Sequence, residues 1–494
     1  MTPRPTAEEV LARLDALRVD DAPTHGGRVL SYVYDTGRPD LDELAASAMR
    51  RVQAINGLDP TAFPSVARLE GELVAFARTM LHGDDDGDIV GTVTTGGTES
   101  CLLAVKAARD LWRAAGGEGS PRLVAPVTAH AAFQKAAHYF GLVLDLVPVD
   151  PATGAVIAER MTDRLDRDVA LVVVSAPSYP HAALDPIAEV AAAAAARGIA
   201  CHVDACIGGF ALPWWPDVPA WDFRVPGVTS ISADLHKYGY APKGASVLLH
   251  RSRERRAAQY FATTRWPGYP VVNPTMLGSR SAGPLAAAWA IVQALGVEGY
   301  GELMQRARAA TETLRATIDD VPGLRVFGAP VGPLLAVVAD ESDPENRVDP
   351  HHWADAVRRR GWVLQQQPGL VQGDGTHLPR STHLTVTPVT AESVDSLGAV
   401  LRAAADEVRG VPSVDTGSLL SSLPPDVLAV AAGGPTGPVP PEALGALLGL
   451  AGIGPDGTLP AEAATLTALI EALPPQLVEP ALIALLGSLV DSPP

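Results

Sequence analysis

Short runs of β-branched residues alternate with alanine-rich stretches from about residue 90 to residue 250. This alternation is typical of a mostly parallel sheet with helices packed on its faces. We therefore expect an α/β fold with a large, doubly wound, mostly parallel sheet. Ligands bind such sheets at the carboxyl ends of the strands, so polar residues at those ends are the first candidates for a functional site.

One unit of this pattern can be followed residue by residue. The apolar run at 169–177 (VALVVVSAP) predicts a buried strand, and the run at 199–205 (IACHVDA) predicts the next one. Between them, Asp185 and Pro186 predict the N-cap and the first residue of a helix that Gly198 ends. The order strand, helix, strand indicates two parallel neighbours in one sheet.

The rest of the chain differs in composition. The helical stretches GPLAAAWAIVQAL and YGELMQRARAATETLRATI and the short strands LLAVVAD and STHLTVTPV predict a smaller α+β domain. After Arg409 there is no lysine or arginine but there are eight acidic residues, and apolar stretches favour short amphipathic helices packed on the body or on a partner over disorder. The predicted divisions are an N-terminal segment (1–65), a large domain (66–289), a small α+β domain (290–410) and a tail (411–494).

Charge and cysteine content exclude several classes of protein. The formal net charge of −18 and the pI of about 5.1 argue against nucleic acid or an anionic membrane as a general partner. The N-terminus lacks the long apolar stretch of a signal peptide, and no run reaches the roughly 18 apolar residues of a membrane span. Cys101, Cys201 and Cys206 have no zinc-like spacing. We expect a cytoplasmic protein with reduced thiols, no transmembrane segment and no metal.

A glycine-rich stretch, GTVTTGGTES at 91–100, is the first candidate for a binding site. A helical run follows it, so the backbone N–H groups near Gly97 and the hydroxyl of Thr98 would lie at a helix N-terminus, where anions bind. The spacing is similar to a Walker A loop, but Gly97 stands where that loop has its lysine. A phosphate site is predicted and a P-loop nucleotide site is disfavoured; a plain helix start is the alternative.

Four further residues follow predicted strands. His130 lies at a strand-to-helix junction, where it could also simply cap the helix. Asp204 is a carboxylate in an apolar strand, which is costly unless a cation pairs with it, so a cationic partner is expected. His236 and Lys237 follow the strand VTSISAD. The topology predicts that all four lie at the same sheet edge as Thr98.

A phosphate cradle, a histidine, a buried aspartate and a lysine together suit pyridoxal 5′-phosphate. Lys237 can form a Schiff base with the cofactor aldehyde, and nearby cations would keep its amine neutral. Asp204 can hold the pyridine nitrogen protonated, so that the ring withdraws electrons from a bond on the substrate. His130 can stack on the ring, while Gly97, Thr98 and His236 hold the phosphate.

The same motifs resemble a known family. The stretches TTGGTESCLLAVKAARD, TAHAAFQKAAHYFG, HVDACIGGF, WDFRVPGVTSISADLHKYGYAPKGASVL and NPTMLGSRSAG are similar to the group II decarboxylase branch of the pyridoxal-phosphate enzymes, and more closely to the sphingosine-1-phosphate lyases. The resemblance covers about residues 25–405. It implies the fold-type I, aspartate aminotransferase-like architecture and a homodimer, with the segment 1–65 contributing to the active site and to the dimer.

The resemblance also implies roles for further residues. Ser279 in GSRSAG is implied to reach the cofactor phosphate of the neighbouring subunit, and Lys243 in YAPKG matches a lysine associated with the substrate phosphate. Tyr34 matches a tyrosine of the N-terminal active-site segment, and Tyr179 is implied to approach the substrate. Asn56 keeps the family pattern on the substrate side.

One position departs from that pattern. Asp59 stands where these lyases typically have a histidine near the substrate phosphate. A carboxylate there would repel a phosphate dianion, so this departure favours the hypothesis of a substrate without a phosphate.

Three functions follow, in decreasing order of weight. The first is retro-aldol cleavage of a phosphorylated amino alcohol to an aldehyde and phosphoethanolamine, with Tyr34 or the cofactor phosphate as candidate base. The second is decarboxylation of an amino acid on the same machinery, with Arg280 or Arg380 as candidates to bind its carboxylate. The third is a cofactor-binding interaction protein without turnover, which the intact Lys237, Asp204 and His130 argue against.

Overall fold

The large sheet has seven strands and carries the candidate site. The computed structural model describes residues 4–84, 87–421, 441–454, 458 and 460–490. In chain order the strands are β1 Val90–Thr94, β2 Arg122–Pro126, β3 Val143–Val147, β4 Val169–Ser175, β5 Ala200–Asp204, β6 Ser230–Ala233 and β7 Ser246–His250. Their spatial order is β1-β7-β6-β5-β4-β2-β3, and only β7 runs antiparallel to its neighbours. The expected mostly parallel α/β sheet is confirmed.

Helices cover both faces of this sheet and build the rest of the chain. They are Ala7–Leu17, Pro39–Arg51, Pro64–Met80, Gly97–Ala114, Ala132–Phe140, Ala158–Thr162, Ile187–Ala196, Arg253–Gln259, Gly283–Asp319, Pro350–Arg359, Val394–Val408, Thr416–Ser421, Pro441–Leu450, Ala464–Ala472 and Pro475–Val490, with 3₁₀ turns at Leu212–Trp214, Pro344–Asn346 and Pro388–Glu392. The two helical stretches predicted after residue 283 run on as Gly283–Asp319, with a kink at Gly296, whose φ is 55°. No helix of the described residues has the length and apolarity that crossing a membrane requires.

A second, antiparallel sheet follows the kinked helix. Its strands are β10 Leu324–Val326, β11 Leu334–Ala339, β12 Gln365–Gln367 and β15 Ser381–Thr385, in the order β10-β11-β15-β12. Two short hairpins join β8 Phe261–Thr263 to β9 Val271–Asn273, and β13 Leu370–Val371 to β14 His377–Leu378. The second sheet packs around its own apolar core, which includes Trp353 and Trp362. The domain boundaries proposed from the sequence stay a prediction.

The unit from β4 to β5 shows why this sequence folds as it does. Every residue of β4 is buried, because helices cover both faces of the sheet and leave no solvated face that would demand alternating polar residues. The predicted cap is wrong in one respect. Pro186 is the N-cap, and the helix begins at Ile187. Asp185 instead turns back to the sheet, where its carboxylate accepts a hydrogen bond from Ser175 N at 2.8 Å.

The buried Asp185 makes stability depend on pH. Burial raises its pKa to about 7, against the opposing effect of hydrogen bonds from the backbone of Ser175 and Val156. The stability that the protonated carboxyl contributes is therefore fully present below about pH 4 and is lost as the pH rises through about 7. Between these pH values, we expect the free energy of unfolding of Asp185→Asn to rise relative to that of the wild type by up to about 1.4 kcal/mol per pH unit. Urea midpoints of both proteins across this range would measure the gain, and parallel curves would contradict it.

Within the tail, residues 441–454 and 460–490 are defined here as the helical unit. Its helices share an apolar cluster made of Leu447, Leu469, Leu473, Leu477 and Leu485, among others. The unit docks on the small domain, where Asp355 accepts hydrogen bonds from Ala463 N at 2.9 Å and Ala464 N at 3.0 Å. The predicted tail also includes 422–440, 455–457, 459 and 491–494, which lie outside the described residues.

Candidate active site

A cavity of ≈ 360 Å³ lies at the carboxyl ends of the parallel strands β4 and β5. This volume falls within the roughly 300–1,000 Å³ of typical small-molecule sites. The cavity brings together residues that the sequence spreads over 140 positions, and those predicted ones that line it are Gly97, Thr98, His130, Tyr179, Asp204, His236 and Lys237. The remaining predicted residues, Tyr34, Asn56, Asp59, Lys243 and Ser279, are not part of its lining.

The glycine-rich stretch forms one wall of the cavity. The helix Gly97–Ala114 begins there as predicted, and the N–H groups of its first turn have no partner within the helix. A side chain at Gly97 would be excluded, because a Cβ there would lie 2.7 Å from both Asp234 Oδ2 and Cys206 Sγ. With the hydroxyl of Thr98, this wall can bind an anion.

Asp204 lies at the end of β5, on the floor of the cavity. It is 7% exposed, and its Oδ1 accepts a hydrogen bond from Cys206 N at 3.0 Å. Burial acts to raise the pKa of Asp204, but His130, the Cys206 hydrogen bonds and Lys237 outweigh it and hold the pKa below its usual value. The expected cationic partner is not found, because Asp204 forms no ion pair with any described residue.

The cation of the site pairs with a residue that sequence reasoning missed. Lys237 Nζ lies 2.9 Å from Asp234 Oδ2, and Asp234 is almost fully buried. Burial by itself lowers the pKa of Lys237, but the charge of Asp234 and that of further anionic groups raise it well above its ordinary value. The expectation that cations keep this amine neutral is therefore wrong. The spacing of Asp234, three residues before Lys237 and directly after β6, could have indicated the pair.

Both predicted histidines line the cavity. His130 is exposed to the cavity, and its Nδ1 accepts a hydrogen bond from Ala132 N at 3.2 Å, so it also contacts the start of the helix Ala132–Phe140. His236 accepts hydrogen bonds at Nδ1 from Gly244 N and Ala245 N, at 3.4 and 3.3 Å. Burial lowers the pKa of His236, so the ring is neutral with its proton on Nε2, where it can donate.

Tyr34 and Lys243 form a pair beside Lys237. Lys243 Nζ lies 4.7 Å from the centroid of the Tyr34 ring and donates a hydrogen bond to His236 O at 3.2 Å. Loss of contact with water and the positive charge of Lys237 lower the pKa of Lys243 to about 8. Burial raises the pKa of Tyr34 to about 12, so its hydroxyl is protonated at neutral pH.

Tyr179 lines the cavity from the side of the small domain. Its ring stacks on His383, with 4.3 Å between the ring centroids, and its hydroxyl donates to Gln365 Oε1 at 2.5 Å. Gln365 was not predicted from the sequence, because it is 186 residues away along the chain and belongs to no motif.

Three predicted residues lie apart from the cavity. Asn56 Nδ2 donates to Ser279 Oγ at 3.1 Å, and both border a second, open cavity next to Arg280. Asp59 is exposed and accepts hydrogen bonds from Thr61 within its own turn. In a single chain, therefore, neither Ser279 nor Asp59 contacts the predicted phosphate wall.

The chemistry of the donor set tests whether pyridoxal phosphate suits the main cavity. Asp204 is a buried carboxylate whose pKa is lowered, and it forms no ion pair with any described residue. Its charge is therefore available to pair with a protonated ring nitrogen. The first helical turn at Gly97 offers N–H donors to a phosphate, and Lys237 offers an amine to an aldehyde. The residues present fit this cofactor.

Family models and curated proteins both match this sequence. Residues 30–327 match the family model of the pyridoxal-dependent decarboxylase conserved domain, and residues 425–488 match that of a C-terminal putative HTH domain of pyridoxal-dependent enzymes. The sequence is 35% identical over 385 residues to the sphingosine-1-phosphate lyase of Dictyostelium discoideum, covering 77% of this chain and 69% of that protein. It is 37% identical over 386 residues to sphingosine-1-phosphate lyase 1 of Mus musculus, where the match covers 77% of this chain and 64% of the relative.

Solved structures resemble this chain over most of its length. The sphingosine-1-phosphate lyase of Burkholderia pseudomallei superposes with a TM-score of 0.76 at 34% identity, covering 85% of this chain and 93% of that one. The glutamate decarboxylase of Lactobacillus brevis superposes with a TM-score of 0.73 at 20% identity, covering 84% and 96%. The second likeness is one of fold alone.

Proposed function

Because the chain belongs to the pyridoxal-dependent decarboxylase family, we propose that it cleaves a carbon–carbon bond in a phosphorylated amino alcohol, as a lyase of the sphingosine-1-phosphate type. It is a lyase, and its cofactor is pyridoxal phosphate. The substrate carries an amine next to a hydroxyl, and the bond between the two carbons breaks to give an aldehyde and phosphoethanolamine. The observation that carries this proposal is the cavity in which Lys237 and Asp204 meet beside the pair Tyr34 and Lys243.

Bound in this cavity, the cofactor supplies an electron-withdrawing ring that accepts the electron pair of the broken bond. Lys237 would bind the cofactor through its aldehyde. Asp204 would keep a proton on the ring nitrogen, and His130 would orient the ring. The first-turn N–H groups, the Thr98 hydroxyl and the Nε2–H of His236 would bind the phosphate.

The substrate side is assigned to Lys243, Tyr34 and Tyr179. With a pKa of about 8, Lys243 is mostly charged at neutral pH and can pair with a substrate phosphate. Tyr34 has too high a pKa to act as a base near neutral pH, so we assign it the role of hydrogen-bond donor. Asp59 points into its own turn on the surface, so its charge does not argue against a phosphate in the cavity of the same chain.

The geometry gives an amino-acid substrate less support. Both arginines that could bind its carboxylate are engaged elsewhere: Arg280 with Glu70 and with the backbone of Val93, and Arg380 with Asp349 and Glu471. No arginine of the described residues lines the cavity. Decarboxylation is therefore the second candidate, and the assay below includes it.

We infer that the working unit is a homodimer in the cytoplasm. Ser279 lies outside the cavity of its own chain and is free to approach that of a second copy, as the family resemblance implies. The helix Ala7–Leu17 has no buried residue and leaves Val10, Leu11 and Leu14 exposed, an apolar stripe that a second copy would cover. All three cysteines are buried and unpaired, as expected of a reducing compartment.

A mass-spectrometric assay tests the function. The cofactor-loaded protein would be incubated with sphingosine-1-phosphate, with the unphosphorylated amino alcohol and with a panel of amino acids, and Lys237→Ala would serve as the control. A fatty aldehyde with phosphoethanolamine from the phosphorylated substrate alone is the expected result. Carbon dioxide and an amine from an amino acid, with the sphingoid base untouched, would replace the proposed lyase with a decarboxylase.

A further inference from the structure

Several residues of the small domain contact Tyr179 at the cavity, among them Thr385, Gln365 and His383. Gln365 on β12 and His383 on β15 are direct neighbours in the antiparallel register. His383 stacks on the ring of Tyr179, and Gln365 Oε1 accepts the hydrogen bond of its hydroxyl. Burial lowers the pKa of His383 to about 3, so the ring it offers to Tyr179 is neutral.

The same glutamine holds a second tyrosine. Gln365 Nε2 donates a hydrogen bond to Tyr32 Oη at 2.5 Å. Tyr32 belongs to the N-terminal segment, is 65% exposed and has a φ of 60°, a left-handed backbone that costs energy in a residue with a side chain. The amide oxygen of Gln365 thus accepts from the Tyr179 hydroxyl, and its amide nitrogen donates to the Tyr32 hydroxyl. The two hydrogen bonds fix the hydroxyls relative to each other.

The next residue of the strand faces the other way, towards the helical unit of the tail. Successive side chains of a strand point to opposite faces. Gln366 Nε2 donates to Asp355 Oδ1 at 2.9 Å, and its Oε1 accepts from the hydroxyl of Thr467 at 2.8 Å. Asp355 in turn accepts the N–H groups of Ala463 and Ala464 at the start of the helix Ala464–Ala472.

A further contact ties this helix to the segment next to β12. Glu471 Oε2 accepts a hydrogen bond from Gly369 N at 3.2 Å and lies 3.1 Å from Arg380 Nη2. Proteins that bind nucleic acid neutralise its phosphates with lysine and arginine, and this sequence has neither after Arg409. The negative charge of the helical unit therefore favours pairing with arginines of the small domain over binding of a nucleic acid.

We propose that Gln365 is a positioning residue for Tyr179 and that the helix Ala464–Ala472 sets its place from the opposite face of β12, through Thr467 and Gln366. The helical unit is thereby an internal brace of the active site. The proposal rests on the proposed function only in that the amine substrate enters the cavity lined by Tyr179.

The first test is a set of substitutions at the glutamine. Gln365→Leu removes both hydrogen bonds at similar size, and we expect kcat/KM to fall about tenfold, mostly through KM, as for the loss of one hydrogen bond to a binding group. Gln365→Glu restores the activity, because a carboxylate accepts from both tyrosine hydroxyls. Tyr179→Phe in the Gln365→Leu background adds no further loss. Additive losses, or no rescue by glutamate, would overturn the positioning role.

The second test concerns the brace and needs no turnover. Thr467→Val removes the hydrogen bond to Gln366 at nearly constant shape, and Glu462→Gln is the matched control, because Glu462 contacts Arg359 and does not touch β12. We expect faster amide hydrogen exchange at 365–367 and 177–182 in Thr467→Val and an unchanged pattern there in the control. Equal amide exchange in the two variants would overturn the proposed bracing role of the helical unit. Because exchange is measured without substrate, a wrong substrate assignment leaves this outcome unaffected.

Discussion

Lys237→Ala stops turnover while the rest of the cavity stays intact. We expect kcat to fall by roughly 10³-fold or more, within the range for removal of a single catalytic nucleophile or base. The visible absorbance band of the bound cofactor should change as well, because no other lysine lines the cavity in the described residues. Lys135→Ala is the matched control, since Lys135 contacts only the exposed ring of Tyr139 at the surface.

The same variant also weakens the fold, and this effect can be separated from catalysis. Without Lys237, the buried Asp234 loses its cation, which is strongly destabilising. We therefore expect the thermal midpoint to drop in Lys237→Ala and to recover in the double variant with Asp234→Asn, while activity stays lost in both. Recovery of activity in the double variant would show that Lys237 acts through folding alone.

Asp204→Asn is expected to have the second-largest effect. The amide has the shape of the carboxylate but no charge to hold a proton on the ring nitrogen, so the ring withdraws electrons less strongly. We expect kcat to fall by about 10²- to 10³-fold, similar to the loss of one preorganised electrostatic contact in other enzymes. Single-turnover kinetics with saturating cofactor would measure it.

Asp185→Asn is the matched control for this prediction. Asp185 is also a buried carboxylate, and it lies beside the end of β4 without lining the cavity. Its replacement should leave kcat within about twofold at neutral pH. If Asp204→Asn were equally mild, the cofactor nitrogen would not need a charged partner, and the proposed role of Asp204 would be wrong.

The sequence predicted those parts of the site that depend on topology. Asp204 and Lys237 each follow an apolar run, and parallel strands end at one edge, so the pattern was sufficient to bring them together. The glycine-rich turn before the helix at Gly97 was predicted for the same reason. The likeness to pyridoxal-phosphate enzymes added Tyr34 and Lys243, whose mutual contact no periodicity indicates.

The parts that could not be predicted depend on side-chain geometry across long separations. A difference of a few ångströms decides whether Lys237 pairs with Asp234 or with Asp204. A strand pattern carries no information about distances on this scale. Asn56 and Ser279 meet across 223 positions, and Gln365 reaches Tyr179 across 186. Asp185 follows the usual rule for a helix cap in the sequence, yet its carboxylate accepts from β4 instead.

The cap that Asp355 provides to the helix Ala464–Ala472 has a consequence for synthesis. The residues that line the cavity lie between Thr95 and Lys237, so all of them are synthesised before the small domain and the helical unit. The face of β12 opposite Gln365 is completed only by Thr467, much later in the chain than any residue that lines the cavity. On the proposed brace, the site therefore gains its last support only when the helix Ala464–Ala472 has been made and has docked.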